Sequence, residues 1–179
     1  MDEITQTRLW AMRALFALLC LLILIVQLLP LEFTPRSFAG PNLILAFSFA
    51  WVLRRPEYVP IWLVAAIYLL ADLLLGRPPG LYAAMALLAF DHLRSRALGL
   101  RDMPFTVEWL SVAMAMAFTM LAYRLILAIA VVEMPGMPLL LTKLAMTILI
   151  YPLAAALTRF GFGLRKIAHG EVNALGQRQ

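Results

Sequence analysis

Residues 65–96, AAIYLLADLLLGRPPGLYAAMALLAFDHLRSR, decide the fold. Two apolar runs of helical length flank a short turn at residues 76–80, and Arg94 and Arg96 lie at the far end of the second run. A glycine- and proline-rich turn between two such runs predicts an antiparallel helical hairpin. Because basic residues next to an apolar helix favour the cytoplasmic side of a membrane, we expect the end opposite the turn to face the cytoplasm.

The composition of the whole chain places these apolar runs in a membrane. The 179 residues are 64% hydrophobic and only 14% charged. A water-soluble domain of this length exposes too much surface to hide so many apolar side chains. The net charge of +5 comes from basic residues that flank the apolar runs and form no stripe with interleaved aromatic residues. We therefore interpret the charge as a signal of membrane topology and not of nucleic-acid binding.

Six apolar segments are interpreted as membrane crossings. They cover about residues 9–30, 38–53, 59–75, 80–98, 106–132 and 138–160, and a polar tail follows at residues 161–179. The predicted outside loops hold only Arg36 and Arg77, whereas most other basic residues lie in the alternate gaps and at the chain ends. The sequence thus predicts one all-α integral membrane domain with six transmembrane helices and both termini cytoplasmic. The second segment is short, and residues 40–41 (Gly-Pro) leave its continuity open.

Three ionisable residues lie within the apolar segments at a similar predicted depth, in the outer half of the membrane: Asp72, Arg124 and Lys143. An ionisable side chain at this depth is costly unless it is paired or hydrated. Two cations and one anion at one level predict a buried polar cluster. The cluster is open to two interpretations, a functional site for a ligand, an ion or a partner, and a structural ion pair with the remaining cation at the outer headgroups.

A second set of charged residues lies at the predicted cytoplasmic ends of the helices, where it is expected to contact cytoplasmic partners or anionic lipid. This set consists of Arg54, Arg55, Arg94 and Arg96. The single cysteine, Cys20, lies inside the first apolar run, where we expect it to pack. It predicts neither a disulfide framework nor a thiolate metal site.

The sequence carries no recognisable catalytic motif. It contains no nucleophile elbow, His-Glu-x-x-His pair, Walker loop or dinucleotide-binding glycine pattern. The two carboxylates well inside spans, Asp72 and Asp91, fall in opposite leaflets of the predicted topology, which disfavours two-carboxylate chemistry. Neither His92 nor His169 has a second ligand at metal spacing. We therefore expect no enzymatic activity, no cofactor and no metal.

Residues 41–60, PNLILAFSFAWVLRRPEYVP, together with the hairpin at residues 65–96, resemble the rod shape-determining protein MreD family. In that family a proline-led short second span ends in basic residues, and an Asp near the end of the third span precedes a glycine-containing turn into the fourth. Asn42 departs from the family pattern, because many members carry an acidic residue there. The matching positions in this chain are Pro41, Arg54, Arg55, Asp72, Gly76 and Gly80.

The resemblance implies a non-enzymatic scaffold subunit in the bacterial inner membrane. Members of the family belong to the cell-elongation (rod) complex and help to organise lateral peptidoglycan synthesis and rod shape. MreC is the implied direct partner, within a complex that also contains RodA, a penicillin-binding transpeptidase and MreB. No role with nucleic acid is implied.

The MreD family is also similar to the substrate-binding membrane subunits of energy-coupling-factor transporters, which share a six-helix arrangement. This second similarity implies a related fold and an alternative function, a small-molecule-binding subunit of a transporter with a pocket near Asp72, Arg124 and Lys143. The short outside loops lack the polar and aromatic cluster expected of such a site, and we therefore favour the scaffold.

Overall fold

The computed structural model describes residues 2–29, 40–100, 103–132 and 136–160, and these residues form helices without any strand. The predicted all-α class is thereby confirmed for the described part of the chain. A short 3-10 turn, Pro56–Tyr58, separates the second and third helices. The helices are α1 (Asp2–Leu28), α2 (Leu43–Arg54), α3 (Ile61–Leu74), α4 (Leu81–Arg96), α5 (Phe105–Ile129) and α6 (Met137–Phe160).

Three of these helices are long and apolar enough to cross a membrane. They are residues Gln6–Leu28 of α1, Phe105–Ile129 and Met137–Phe160. At about 1.5 Å per residue, each exceeds the roughly 30 Å of a bilayer's hydrocarbon core. Large apolar side chains also project outward from several helices, including Leu18, Leu73, Leu110 and Leu149. Both features are compatible with a membrane protein, in which lipid covers such side chains.

The other three helices are shorter than the sequence predicts. α2, α3 and α4 contain 12, 14 and 16 residues, which corresponds to lengths of about 18, 21 and 24 Å. α2 begins at Leu43 because Pro41 lies just before it and Asn42 caps its first turn; the first residues of the predicted second span, 38 and 39, lie outside the described part. The count of six spans and the likeness to the transporter subunits both stay predictions.

The shortest helix, α2, lies at the centre of the bundle. It packs against α6, α4 and α1, and its residues 44–54 are all buried. A helix that is apolar on every side gains from burial on every side, which explains why α2 occupies the core. The ring of Phe16 lies 5.2 Å from that of Trp51 on α2. Cys20 is fully buried in the same core, as predicted.

The two ends of the bundle are defined here by their connections. The turn at residues 75–80 joins α3 to α4 at what we call the outer end, and the opposite end is the inner end, both named after the predicted topology. Gly76 and Gly80 have φ values of +63° and +84°. This left-handed conformation favours glycine, and the tight turn therefore depends on both residues.

Candidate functional site

A buried ion pair lies at the inner end, where α2, α5 and α6 meet. Nη1 of Arg54 lies 3.5 Å from Oε1 of Glu108, and both side chains are almost completely buried. The hydroxyl of Tyr151 donates a hydrogen bond of 2.8 Å to the same Glu108 oxygen, and Arg54 also donates to the carbonyl of Ala50. Phe105 stacks on the ring of Tyr151. Each partner in this inner-end cluster therefore receives at least one polar contact inside the bundle.

A second contact joins α5 to α6 next to this ion pair. Pro152 lies inside α6 and has no N–H to donate to the carbonyl four residues earlier, which belongs to Ile148. Nε1 of Trp109 donates to that carbonyl at 3.0 Å. Because a buried carbonyl without a donor is costly, Trp109 compensates directly for the proline. A side chain from α5 thus supplies the hydrogen bond that the backbone of α6 lacks at this point.

The ion pair with Glu108 buries Arg54, one of the four arginines predicted to contact cytoplasmic partners or lipid. Arg54 is only 6% exposed, because it belongs to the end of the central helix, and it therefore binds inside the bundle instead of facing the cytoplasm. Arg55 and Arg94 are half-buried and Arg96 is exposed. A contact with cytoplasmic partners or lipid stays a prediction for these three arginines, and Arg54 is removed from the patch.

Asp72 lies at the outer end, on the last turn of α3, and is 0% exposed. Its Oδ2 accepts a hydrogen bond of 3.0 Å from the backbone N–H of Ala83, at the start of α4. Its Oδ1 has no hydrogen-bond donor among the described residues, and Nη1 of Arg77 lies 4.0 Å from it. That separation is an ion pair but is too long for a hydrogen bond. Only half of the carboxylate is therefore satisfied.

Tyr82 connects Asp72's neighbourhood to the start of the central helix. Its hydroxyl accepts a hydrogen bond of 2.6 Å from Nδ2 of Asn42. The backbone N–H of Asn42 donates to Oγ1 of Thr147 on α6. The guanidinium of Arg77 lies over the Tyr82 ring, 4.7 Å from its centroid. Tyr123 of α5 forms a T-shaped pair with the same ring, with the two centroids 5.2 Å apart. These contacts join α2, α4, α5 and α6 at the outer end.

Of the three residues in the predicted cluster, Asp72, Arg124 and Lys143, only Asp72 is fully buried. Asp72 is buried as expected, and the basic residue that the structure pairs with it is Arg77, which the sequence assigns to the outer loop. Arg124 and Lys143 are half-buried. The carbonyl of Lys143 accepts a hydrogen bond from Thr147, which places this residue one turn from the Asn42 contact. A direct pairing of Asp72 with Arg124 or Lys143 stays a prediction.

Several residues of these two clusters were not identified from the sequence as site residues, among them Asn42, Arg77, Tyr82, Glu108 and Tyr151. Glu108 is near the start of its segment and looks like a residue of the headgroup region, yet it is only 1% exposed. A usable signal existed, since an acid near the start of α5 and a base at the end of α2 share the predicted inner end and can neutralise each other. Arg77 was assigned only to an outside loop, because a loop position alone does not reveal the carboxylate beside it.

No protein-family model, curated protein or solved structure matches the chain. Residues 41–96 and the geometry of the two clusters are therefore the features that bear on function. The resemblance to the MreD family, carried by Pro41, Gly76, Gly80 and their neighbours, stays a prediction.

Proposed function

We propose that this protein is a non-enzymatic scaffold subunit of the bacterial cell-elongation complex, located in the inner membrane with several membrane crossings. In this role it binds MreC and helps to organise lateral peptidoglycan synthesis, together with RodA, a penicillin-binding transpeptidase and MreB. The proposal starts from the resemblance of residues 41–96 to the MreD family. The structure adds support from the use of its buried charges and from one face of α5.

The buried carboxylates support a structural role for the bundle's polar groups. Asp72 and Glu108 lie at opposite ends of the bundle, where each contacts a neighbouring helix. The paired catalytic carboxylates of glycosidases, for comparison, flank one substrate at a separation below about 10 Å. The arrangement instead supports a rigid bundle that presents helix faces to other proteins.

One face of α5 carries the observation on which the proposal depends most. Large apolar side chains along this face are strongly exposed, from 46% to 67%, and they recur every three or four residues: Leu110, Met114, Phe118, Leu121 and Leu125. Beside them, Ala113 and Ala117 are half-buried and one helical turn apart. Two small residues at this spacing allow a second helix to approach closely within a membrane. We propose that the membrane anchor of MreC packs along this face.

The experiment is affinity capture of the protein from native membranes in mild detergent, with quantification of co-purified MreC. Wild-type protein should recover MreC, and Ala113→Leu with Ala117→Leu should lower recovery by about tenfold, because a bulky pair prevents close helix approach. Absence of MreC from the wild-type capture would refute the scaffold proposal.

Ala145→Leu is the matched control, because Ala145 is exposed on α6 and the same change there leaves the α5 face intact. Thermal unfolding of both variants separates lost binding from lost folding. Equal recovery of MreC by the α5 variant and the control would place the partner on another face.

A further inference from the structure

The carboxylate of Asp72 is an incompletely satisfied charge in the interior of the bundle. The side chain is 0% exposed, Oδ2 is bound by the Ala83 amide, and Oδ1 has no hydrogen-bond donor among the described residues. A buried carboxylate is stable only when its oxygens receive hydrogen bonds or a cation. Oδ1 is therefore available to a positively charged hydrogen-bond donor.

Arg77 supplies the positive charge, but its contact with the carboxylate is loose. Its Nη1 lies 4.0 Å from Oδ1, and its side chain remains 21% exposed. The same guanidinium lies over the ring of Tyr82, and the Tyr123 ring is nearly perpendicular to that of Tyr82, with the two centroids 5.2 Å apart. A carboxylate beside aromatic rings is the combination that binds guanidinium and ammonium groups, through charge and through the ring quadrupole.

The turn that carries Arg77 lets its side chain leave without unfolding a helix. The backbone N–H of Arg77 is bound to the carbonyl of Asp72 at 2.9 Å, which anchors the main chain while the side chain extends from an otherwise exposed turn. Rotation of the side chain toward the outer surface vacates the volume of one guanidinium beside Asp72. The vacated space keeps its carboxylate and its aromatic wall.

We propose that Asp72, together with the ring of Tyr82, forms a binding site for an organic cation of guanidinium size, and that Arg77 occupies this site as a tethered substitute. An external cation displaces the Arg77 side chain and supplies the donor that Oδ1 lacks. This inference goes beyond the scaffold function and does not depend on it, since the site lies among α3, α4 and α5 inside the bundle.

The test removes the tethered substitute and offers a free one. Arg77→Ala, purified in detergent, is titrated with methylguanidinium while the melting temperature is recorded, with uncharged urea as the control of similar shape. Methylguanidinium should raise the melting temperature in a saturable way. Its apparent affinity for the wild type should be roughly tenfold weaker, because Arg77 competes for the site and leaves it only partly available.

Two variants provide the controls. Asp72→Asn combined with Arg77→Ala removes the carboxylate, and binding of methylguanidinium should weaken by at least about tenfold, since the charge-assisted contact is gone. Arg96→Ala removes an exposed arginine on the last turn of α4 and should respond as the wild type does. The proposal would be overturned if methylguanidinium did not raise the melting temperature of Arg77→Ala. It would also be overturned if urea raised that temperature equally, or if the double variant responded to methylguanidinium as strongly as Arg77→Ala does.

The proposal can also be tested if the Arg77→Ala variant does not fold without an added ligand. Methylguanidinium present during extraction should then recover folded protein, because it replaces the missing guanidinium beside Asp72. Failure to recover it, or equal recovery with urea, would overturn the proposal as well. MreC capture is measured separately on wild-type protein, so the outcome for this site is distinguishable from the outcome for the scaffold.

Discussion

The inner and outer ends of the bundle each bury a carboxylate, but they satisfy it differently. At the inner end, Glu108 binds both Arg54 and Tyr151, and all three side chains are at most 6% exposed. At the outer end, Asp72 has one satisfied oxygen, and its cation, Arg77, is partly exposed and 4.0 Å away. The inner-end arginine belongs to the central helix, whereas the outer-end arginine belongs to a turn.

This difference separates a structural contact from an exchangeable one. A buried ion pair is strongly destabilised when one partner is removed, because the other charge remains in a medium of low polarity. Loss of the buried member of a partly exposed pair costs less, since the charge that remains can reach water or headgroups. The inner-end cluster is therefore expected to hold α2, α5 and α6 together, and the outer-end pair to be open to exchange.

Replacing each buried carboxylate by its amide should give the largest difference in stability between the two ends. Glu108→Gln keeps an acceptor for Tyr151 but leaves Arg54 buried without its counterion, and should lower the free energy of unfolding by about 3 kcal/mol. Asp72→Asn keeps an acceptor for the Ala83 amide and frees Arg77 to turn outward, and should cost less than about 1 kcal/mol. Thermal or denaturant unfolding in one detergent measures both.

Combining Arg54→Met with Glu108→Gln is the control for this prediction, because the double change removes the uncompensated charge. The double variant should be more stable than Glu108→Gln alone. Equal losses for Glu108→Gln and Asp72→Asn would mean that the two ends are equivalent, and would remove the distinction.

The sequence predicted the helical class and the hairpin at residues 65–96, because apolar runs and turn residues act locally. Its second, third and fourth segments are each longer than the helix that the structure describes there. Apolar composition alone extends a segment through residues 38–42, whereas Asn42 starts α2 by capping its first turn with a side chain. Helix ends depend on such individual hydrogen bonds, which a hydropathy pattern averages out.

The candidate site was predicted less completely than the fold. The burial of Asp72 agrees with its place in an apolar run, but its pairing with Arg77 depends on the path of the turn that follows α3. Glu108 and Arg54 are far apart in the sequence, and only the packing of both α2 and α5 against α6 brings them together. Burial at the end of a helix therefore could not be inferred from local composition.

A smaller effect is expected from the backbone of the inner end, where the Ile148 carbonyl receives its hydrogen bond from Trp109. Trp109→Phe removes the donor to the Ile148 carbonyl and should destabilise the protein by about 1–2 kcal/mol. Pro152→Ala restores the helical N–H that this carbonyl lacks. The loss caused by Trp109→Phe should therefore be smaller in the Pro152→Ala background, as a double-mutant cycle of unfolding free energies would measure.

Trp62→Phe serves as the matched control, since Trp62 is 56% exposed on α3 and should cost less in both backgrounds. Strict additivity between Trp109→Phe and Pro152→Ala would show that the indole does not compensate for the proline, and the claim of a fully satisfied inner end would fail.

Small effects are also expected from the backbone at the outer end, where two helices terminate in the same way with different residues. The amides of Arg77 and Val132 each bond back to a carbonyl five residues earlier, and the residues before them, Gly76 and Val131, have φ values of +63° and +54°.

Valine is strained in this conformation, and Val131→Gly should therefore stabilise the protein by about 1 kcal/mol. Gly76→Ala should destabilise it by a similar amount through φ alone, because an added Cβ meets nothing within 4 Å. Thermal unfolding would measure both, with Val132→Gly as the control that should not stabilise. A destabilising Val131→Gly would mean that the outer end holds no strain at α5, and that its looser character is confined to the side chains of Asp72 and Arg77.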